Sequence, residues 1–259
     1  MWKLGKILGI DVSLHWSLLL LIGLTAVTGG GTMGALLFAA VFACVLLHEL
    51  GHSMAARQFG IETHSIVLLP IGGIASLERM PRHPLQELWI AVAGPLVNVV
   101  IAFVLFLAMP TIYALTPSYG GFFTTLMFAN ISLVLFNLLP AFPMDGGRIL
   151  RSLLAMRLSF GRATEIAARC GRYVAVGLGI LGLFYGHIML MLVAAFVYFA
   201  GSAEARMVAE EDRRETMATW RNGFVRSFND AKTYTSTRAG EVMHVIWDED
   251  QKKYRYAAR

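Results

Sequence analysis

The sequence predicts an all-α polytopic membrane protein. It should have about six transmembrane helices, a short membrane-associated β-hairpin between helices 2 and 3, and a small cytoplasmic tail. Three observations lead there. Of 259 residues 56% are hydrophobic and only 15% charged, where a soluble domain carries about 25% charge. Residues 14–47, 88–144 and 173–203 contain no Asp, Glu, Lys or Arg. Each of these blocks is long enough for one or two helices of roughly 20 residues, the length that crosses a bilayer.

The first block breaks at "TGGGTMG" (28–34). One span therefore lies near 14–28, and a second runs on to about Arg57. The second block breaks at "PTIYALTPSYGG" (110–121), which places spans near 87–109 and 122–139. The third has only "FYGH" (184–187) as a break, so its first helix must begin near Ala163 with Arg169 and Arg172 reaching out to the interface. Charge supports the count. The turns 28–34, 110–121 and 184–187 are uncharged, whereas Lys3, Lys6, Arg57, Arg79, Arg82 and six arginines from Arg148 to Arg172 fall on the other side. Basic loops stay in the cytoplasm, so both termini should be cytoplasmic. Residues 61–80 contain Pro70, Gly72 and Gly73 and suit two short strands around a turn better than a helix. Two domains follow: a membrane domain over 1–205 and a cytoplasmic tail over 206–259. Within the tail, residues 203–220 have helical composition and "EVMHVIWDEDQKKYRY" suits a hairpin.

Composition also excludes function classes. Cys44 and Cys170 lie in or beside apolar stretches, which is neither a disulfide framework nor a thiolate zinc site. The basic "MWKLGK" runs into an apolar segment without a cleavage signature and reads as the approach to a first span. The net charge of +5 is explained by the basic loops, so no nucleic-acid partner is expected.

The chemistry concentrates in "LLHELGHSMAARQF" (46–59). HExxH on a helix places His48 and His52 on one face, about 6 Å apart along the axis. Both imidazoles then reach one tetrahedral Zn²⁺. Glu49 lies beside the metal, where it can take a proton from water and deliver it to a leaving amine. Ionisable groups inside a span usually mark function. A catalytic zinc needs a third protein ligand. The extended histidine motif would need His where Gln58 stands, and Glu62 and Glu78 fall in the predicted strand region. Asp145 in "FNLLPAFPMDGGRIL" (136–150) remains. Pro140 and Pro143 end the fourth span there, and Gly146 and Gly147 allow a tight turn. The alternative role for Asp145 is an N-cap for the helix that follows. His48, His52, Asp145 and a water would complete an open tetrahedral site.

Four stretches carry a family resemblance: "HELGH" (48–52), "LLPIGGIASLERMP" (68–81), "ELWIAVAGPLVN" (87–98) and "NLLPAFPMDGG" (137–147). Together they resemble the site-2 protease family of intramembrane zinc metalloproteases, in the subgroup without a PDZ domain. The resemblance implies one catalytic zinc ion held by His48, His52 and Asp145, and Glu49 as the catalytic glutamate. It implies that Asn137 and Pro143 help hold the substrate. The implied substrates are transmembrane segments of membrane-bound regulators or pro-proteins, and the setting is a lipid bilayer, in a prokaryotic cell (inner) membrane. Nothing in the sequence excludes homo-oligomers. "TRAGEVMH" (237–244) resembles the opening of a CBS domain, but too few residues follow it for a CBS pair.

Other residues have plainer readings. Asn98 suits an interhelical hydrogen bond, Cys44 a small packing position, and Gly94 with Ala93 close helix packing. Asn137 suits a substrate-contacting or oxyanion role. His15, His64, His83, His187 and His244 are expected to be non-ligands. A strand edge within 64–77, rich in β-branched Ile66, Val67, Ile71 and Ile74, could pair with an unwound substrate. Two rival classes are a catalytically silent receptor for transmembrane segments, which an intact Glu49 disfavours, and a metal transporter, which the lack of further intramembrane acids disfavours.

Overall fold

The computed structural model describes residues 1–28, 30–70, 72–78, 81, 83–230, 234–238, 241–248 and 253–258, with side chains described as far as Trp220 apart from 212, 215 and 216. Ile71, Arg79, Arg82, Ala239 and Gly240, all used in the sequence reading, lie outside that set. The chain divides into two compact units, Met1–Ala205 and Arg206–Arg259.

The first unit opens with two antiparallel strands, β1 (Trp2–Ile7) and β2 (Ile10–Leu14). Their turn places Leu8 and Gly9 at φ 54° and 88°, the left-handed backbone that two-residue hairpins require. Helix α1 (Trp16–Val27) follows, then α2 (Gly31–Gln58), β3 (Thr63–Leu69), β4 (Gly72–Leu77) and α3 (Pro84–Leu115). A single 3₁₀ turn, Pro117–Tyr119, leads into α4 (Gly120–Asn137). The short α5 (Asp145–Ala155) and the long α6 (Phe160–Phe184) and α7 (Ile188–Asp230) complete the helices. β2 pairs in parallel with β3, and β3 antiparallel with β4, giving a four-stranded sheet in the order β1-β2-β3-β4. The Arg206–Arg259 unit contains a three-stranded antiparallel sheet of β5 (Tyr234–Arg238), β6 (Glu241–Asp248) and β7 (Lys253–Ala258).

Among the described residues, five helical segments are long and apolar enough to cross a membrane: 31–58, 84–115, 117–137, 160–184 and 188–211. The first predicted span differs. α1 has 12 residues, about 18 Å of helix against a hydrocarbon core of about 30 Å. The cause is the sheet. Parallel pairing of β2 with β3 ties the start of α1 to the segment after α2, and the His15 amide donates to the Leu68 carbonyl at 2.9 Å. Ile10, Leu18, Phe42, Val45, Leu50, Ile66 and Leu68 form one buried cluster. The sheet therefore packs against the second half of α2, and α1 begins only after β2 ends. A second difference lies at Pro110, where the sequence suggested a break. α3 runs through both Pro95 and Pro110, since neighbouring helices can re-satisfy the freed carbonyls in such a setting.

The segment between α4 and α5 is held from behind by α6. Ala141, Met144, Ala175 and Val197 form one cluster, and Phe142, Ala167 and Ala168 another. Small residues along α6 permit this approach: a Cβ on Gly171 would already lie 3.0 Å from the Ala141 Cα. The packing delivers the first residue of α5 to the face of α2.

Candidate metal centre

His48 and His52 lie one turn apart on α2, and Asp145 is the first residue of α5. His48 and Asp145 are buried. The three ligand-capable groups converge. His48 Nε2 is 3.1 Å from His52 Nε2 and 3.1 Å from Asp145 Oδ2, and His52 Nε2 is 3.2 Å from Asp145 Oδ1. Bonds of roughly 2.0–2.1 Å at tetrahedral angles would place ligand atoms about 3.3–3.4 Å apart, so the spacing suits one small ion.

The protons support the same conclusion. His52 Nδ1 lies 2.7 Å from the Ile90 carbonyl, which can only accept, so Nδ1 carries the hydrogen. His48 Nδ1 likewise faces Asn98 Oδ1 at 2.8 Å. In the neutral rings both Nε2 atoms then present lone pairs to each other and to a carboxylate. Acceptors crowded together without a donor need a cation among them. The Asp145 side chain does not cap its helix: Met144 holds the N-cap position and makes no side-chain cap bond.

Gly94 of α3 lies against this cluster. A Cβ there would be 2.7 Å from His48 Nε2 and would collide with the His52 ring. The absent side chain leaves room at the two Nε2 atoms. Glu49 faces the sheet instead: a Cβ on Gly73 of β4 would lie 2.9 Å from Glu49 Cδ and 3.0 Å from Oε1. Asn137 is half-buried at the end of α4, and Pro143 is exposed two residues before Asp145.

The model of Peptidase family M50 matches residues 36–116 and 113–178. This chain belongs to that family. Both matched stretches carry the residues just described: the first holds the HExxH helix with Gly73, Gly94 and Asn98, and the second holds Asp145. The M50 assignment agrees with similarity to individual proteins. A zinc metalloprotease of Methanocaldococcus jannaschii is 40% identical over 213 residues, covering 81% of this chain and 62% of that protein. Stage IV sporulation protein FB of Bacillus subtilis is 31% identical over 173 residues, 66% of this chain and 58% of that protein. The chain thus spans about three fifths of the length of these relatives. The solved site-2 protease from Methanocaldococcus jannaschii superposes with a TM-score of 0.60 at 37% identity, covering 78% of this chain and 94% of that one. With its five long apolar helices, this M50 chain is an integral multi-pass membrane protein.

The sequence reading covers three features of the site only in part. Gly94 and Ala93 were read as close helix packing, and both do lie close to α2: a Cβ on Gly51 would be 2.9 Å from the Ala93 carbonyl, while what Gly94 meets is the pair of His48 and His52 rings. Cys44 is buried, as its reading as a packing residue expects, and in addition its sulfur lies 3.4 Å from Asn130 Nδ2. The third is Arg151 of α5, buried and paired with Glu87 of α3 and with Glu204 of α7, its guanidinium 4.9 and 4.8 Å from the Phe142 and Phe160 ring centres. This clamp ties the helix of Asp145 to the first turn of α3. The sequence signal available was an arginine at i+6 from the acid, which by itself reads as a topology charge.

Proposed function

We propose that this chain is a zinc-dependent intramembrane endopeptidase that cleaves transmembrane segments of membrane-bound regulators or pro-proteins. His48, His52 and Asp145 hold the ion, and Glu49 is the catalytic residue. The observation that carries the reading is the convergence of two Nε2 lone pairs and a carboxylate on an otherwise apolar helix face, with a glutamate in the same turn. Zinc, when bound, supplies a Lewis acid that activates water near neutral pH and stabilises developing negative charge. The Glu49 carboxylate accepts the proton of the attacking water and returns it to the leaving amide nitrogen. Asn137 and Pro143 hold the substrate next to these groups.

Substrate presentation follows from the sheet. A helix in a bilayer hides its peptide groups, and an unwound segment needs partners for them. β3 is paired on both sides, so among the described residues the sheet's edges are β1 and β4, and β4 is the edge within 64–77. β4 carries Gly73, which lies against Glu49. A substrate strand added to this edge would bring a peptide bond to the catalytic glutamate. Residues 1–205 form the protease domain, 206–259 a cytoplasmic tail, and the site opens toward the cytoplasm of a prokaryotic cell, with both termini on that side.

The test is co-expression of tagged candidate membrane regulators with wild-type protein and Glu49→Gln. Cleavage should be lost in Glu49→Gln while bound zinc stays at the wild-type level, because the base is removed and the ligands are spared. His48→Ala and Asp145→Ala should lose both. Near-wild-type turnover by Glu49→Gln would refute the proposed chemistry.

A further inference from the structure

Amide side chains buried in apolar helices must find partners, and the partners constrain which way each amide points. Asn98 of α3 and Asn130 of α4 are both fully buried. Asn130 Nδ2 lies 2.9 Å from the main-chain carbonyl of Leu126. A carbonyl only accepts, so the NH₂ of Asn130 must face it, and the second hydrogen points to Cys44 Sγ at 3.4 Å. Asn130 Oδ1 is thereby turned toward Asn98, whose Nδ2 donates to it at 2.9 Å. That leaves Asn98 Oδ1 facing His48 Nδ1 at 2.8 Å. Reversing either amide would set acceptor against acceptor at the link before it, Asn130 Oδ1 against the Leu126 carbonyl or Asn98 Oδ1 against Asn130 Oδ1. Each orientation therefore follows from the one before, starting at a helix carbonyl that cannot change its role.

We infer that Asn98 and Asn130 are positioning residues of the metal centre, a buried relay from the Leu126 carbonyl that keeps the proton on His48 Nδ1 and aims Nε2 at the ion. The inference rests on His48 being a metal ligand. Metal-bound histidines commonly donate their other ring N–H to an oxygen that fixes the ring, and loss of that partner costs roughly 10–100-fold in metal affinity. His52 obtains the same service from the main-chain carbonyl of Ile90, which no side-chain substitution can remove. Among the described residues His48 Nδ1 meets a side-chain acceptor instead, and depends on two side chains from two other helices. Relay and ligand thus link α2, α3 and α4 at one point, with Cys44 one turn before His48 closing the circuit.

The full chain, purified in detergent, is tested as Asn98→Leu, Asn98→Asp, Asn130→Ala and His48→Ala. Zinc affinity is measured by chelator competition, the Co²⁺ ligand-field spectrum reports site geometry, and the melting temperature of zinc-free protein reports the fold. Asn98→Leu, close in shape but without an acceptor, should weaken zinc binding roughly 10–100-fold and alter the Co²⁺ spectrum. Asn98→Asp keeps an acceptor toward Nδ1 but loses the donor to Asn130 Oδ1, so it should weaken zinc binding less than Asn98→Leu does. Asn130→Ala, which does not touch the histidine, should weaken binding less, and should add nothing on top of Asn98→Leu. Wild-type zinc affinity in Asn98→Leu overturns the relay, as does equal loss in Asn98→Leu and Asn98→Asp, which would mean packing alone. Should Asn98→Leu fail to fold, unchanged zinc affinity in Asn130→Ala overturns it. His48→Ala separates the two levels: retained zinc affinity there refutes the ligand assignment itself, whereas loss there with none in Asn98→Leu refutes only the relay.

Discussion

Gly94→Ala adds one methyl group and changes no ligand, yet zinc binding should collapse. In a helix interior, alanine is normally better than glycine by about 0.5–1 kcal/mol, so the backbone does not oppose the change. The new Cβ would stand 2.7 Å from His48 Nε2. Carbon and nitrogen atoms settle near roughly 3.5 Å, so the ring must retreat by about 0.8 Å. Metal–ligand distances tolerate about 0.2 Å. The His52 ring meets the same methyl, and both rings are tethered at Nδ1, to Asn98 and to the Ile90 carbonyl. Retreat therefore breaks either the tether or the coordination geometry. Gly73→Ala is the matched control. The three atoms nearest its Cβ all belong to the Glu49 side chain, which can swing away about its own torsions. Zinc should stay bound, and turnover should fall by roughly 10²–10⁴-fold, the usual worth of a positioned base. The assay is metal content and chelator competition on purified protein, alongside cleavage of a transmembrane substrate. Wild-type zinc affinity in Gly94→Ala would refute the argument, and so would zinc loss in Gly73→Ala.

Arg151→Ala leaves Glu87 buried without its cation, a change that costs about 3–5 kcal/mol. Unfolding in detergent should show it, and wild-type stability would remove the clamp from the account of how Asp145 is held. Reporter fusions after Lys6, Thr32, Ser118 and Arg162 should read in, out, out and in; an external signal at Arg162 would contradict the cytoplasmic opening of the site. In a Glu49→Gln background, single cysteines along 72–77 should capture a substrate cysteine near the scissile bond with period-two alternation, and crosslinks confined to α6 and α7 would rule out strand addition at β4.

Several features follow from local pattern alone. Charge-free blocks locate long apolar helices, because lipid and helix core alike exclude unpaired charge. The i, i+4 spacing of His48 and His52 places both rings on one face whatever surrounds them. A Pro-rich end to α4 and a Gly pair after Asp145 locate an acid at a helix start. None of these needs a partner distant in sequence. The N-terminal strands do. β1 carries a register shift between Lys3 and Gly5 that breaks its alternation. β2 is stabilised by parallel pairing with β3, more than forty residues further on, so "WKLGKI" and "IDVSL" carry little strand signal of their own. The length of α1 depends on that sheet and not on its own hydropathy. Gly94 and Asn98 are ordinary helix residues until α2 is laid against α3. Arg151 is a topology charge until Glu87 and Glu204 meet it. Periodicity in a sequence reports hydrogen bonds within a segment and the width of its apolar face. Which glycine makes room for an ion, and which amide turns a histidine, is decided only when helices from separate parts of the chain come within contact distance.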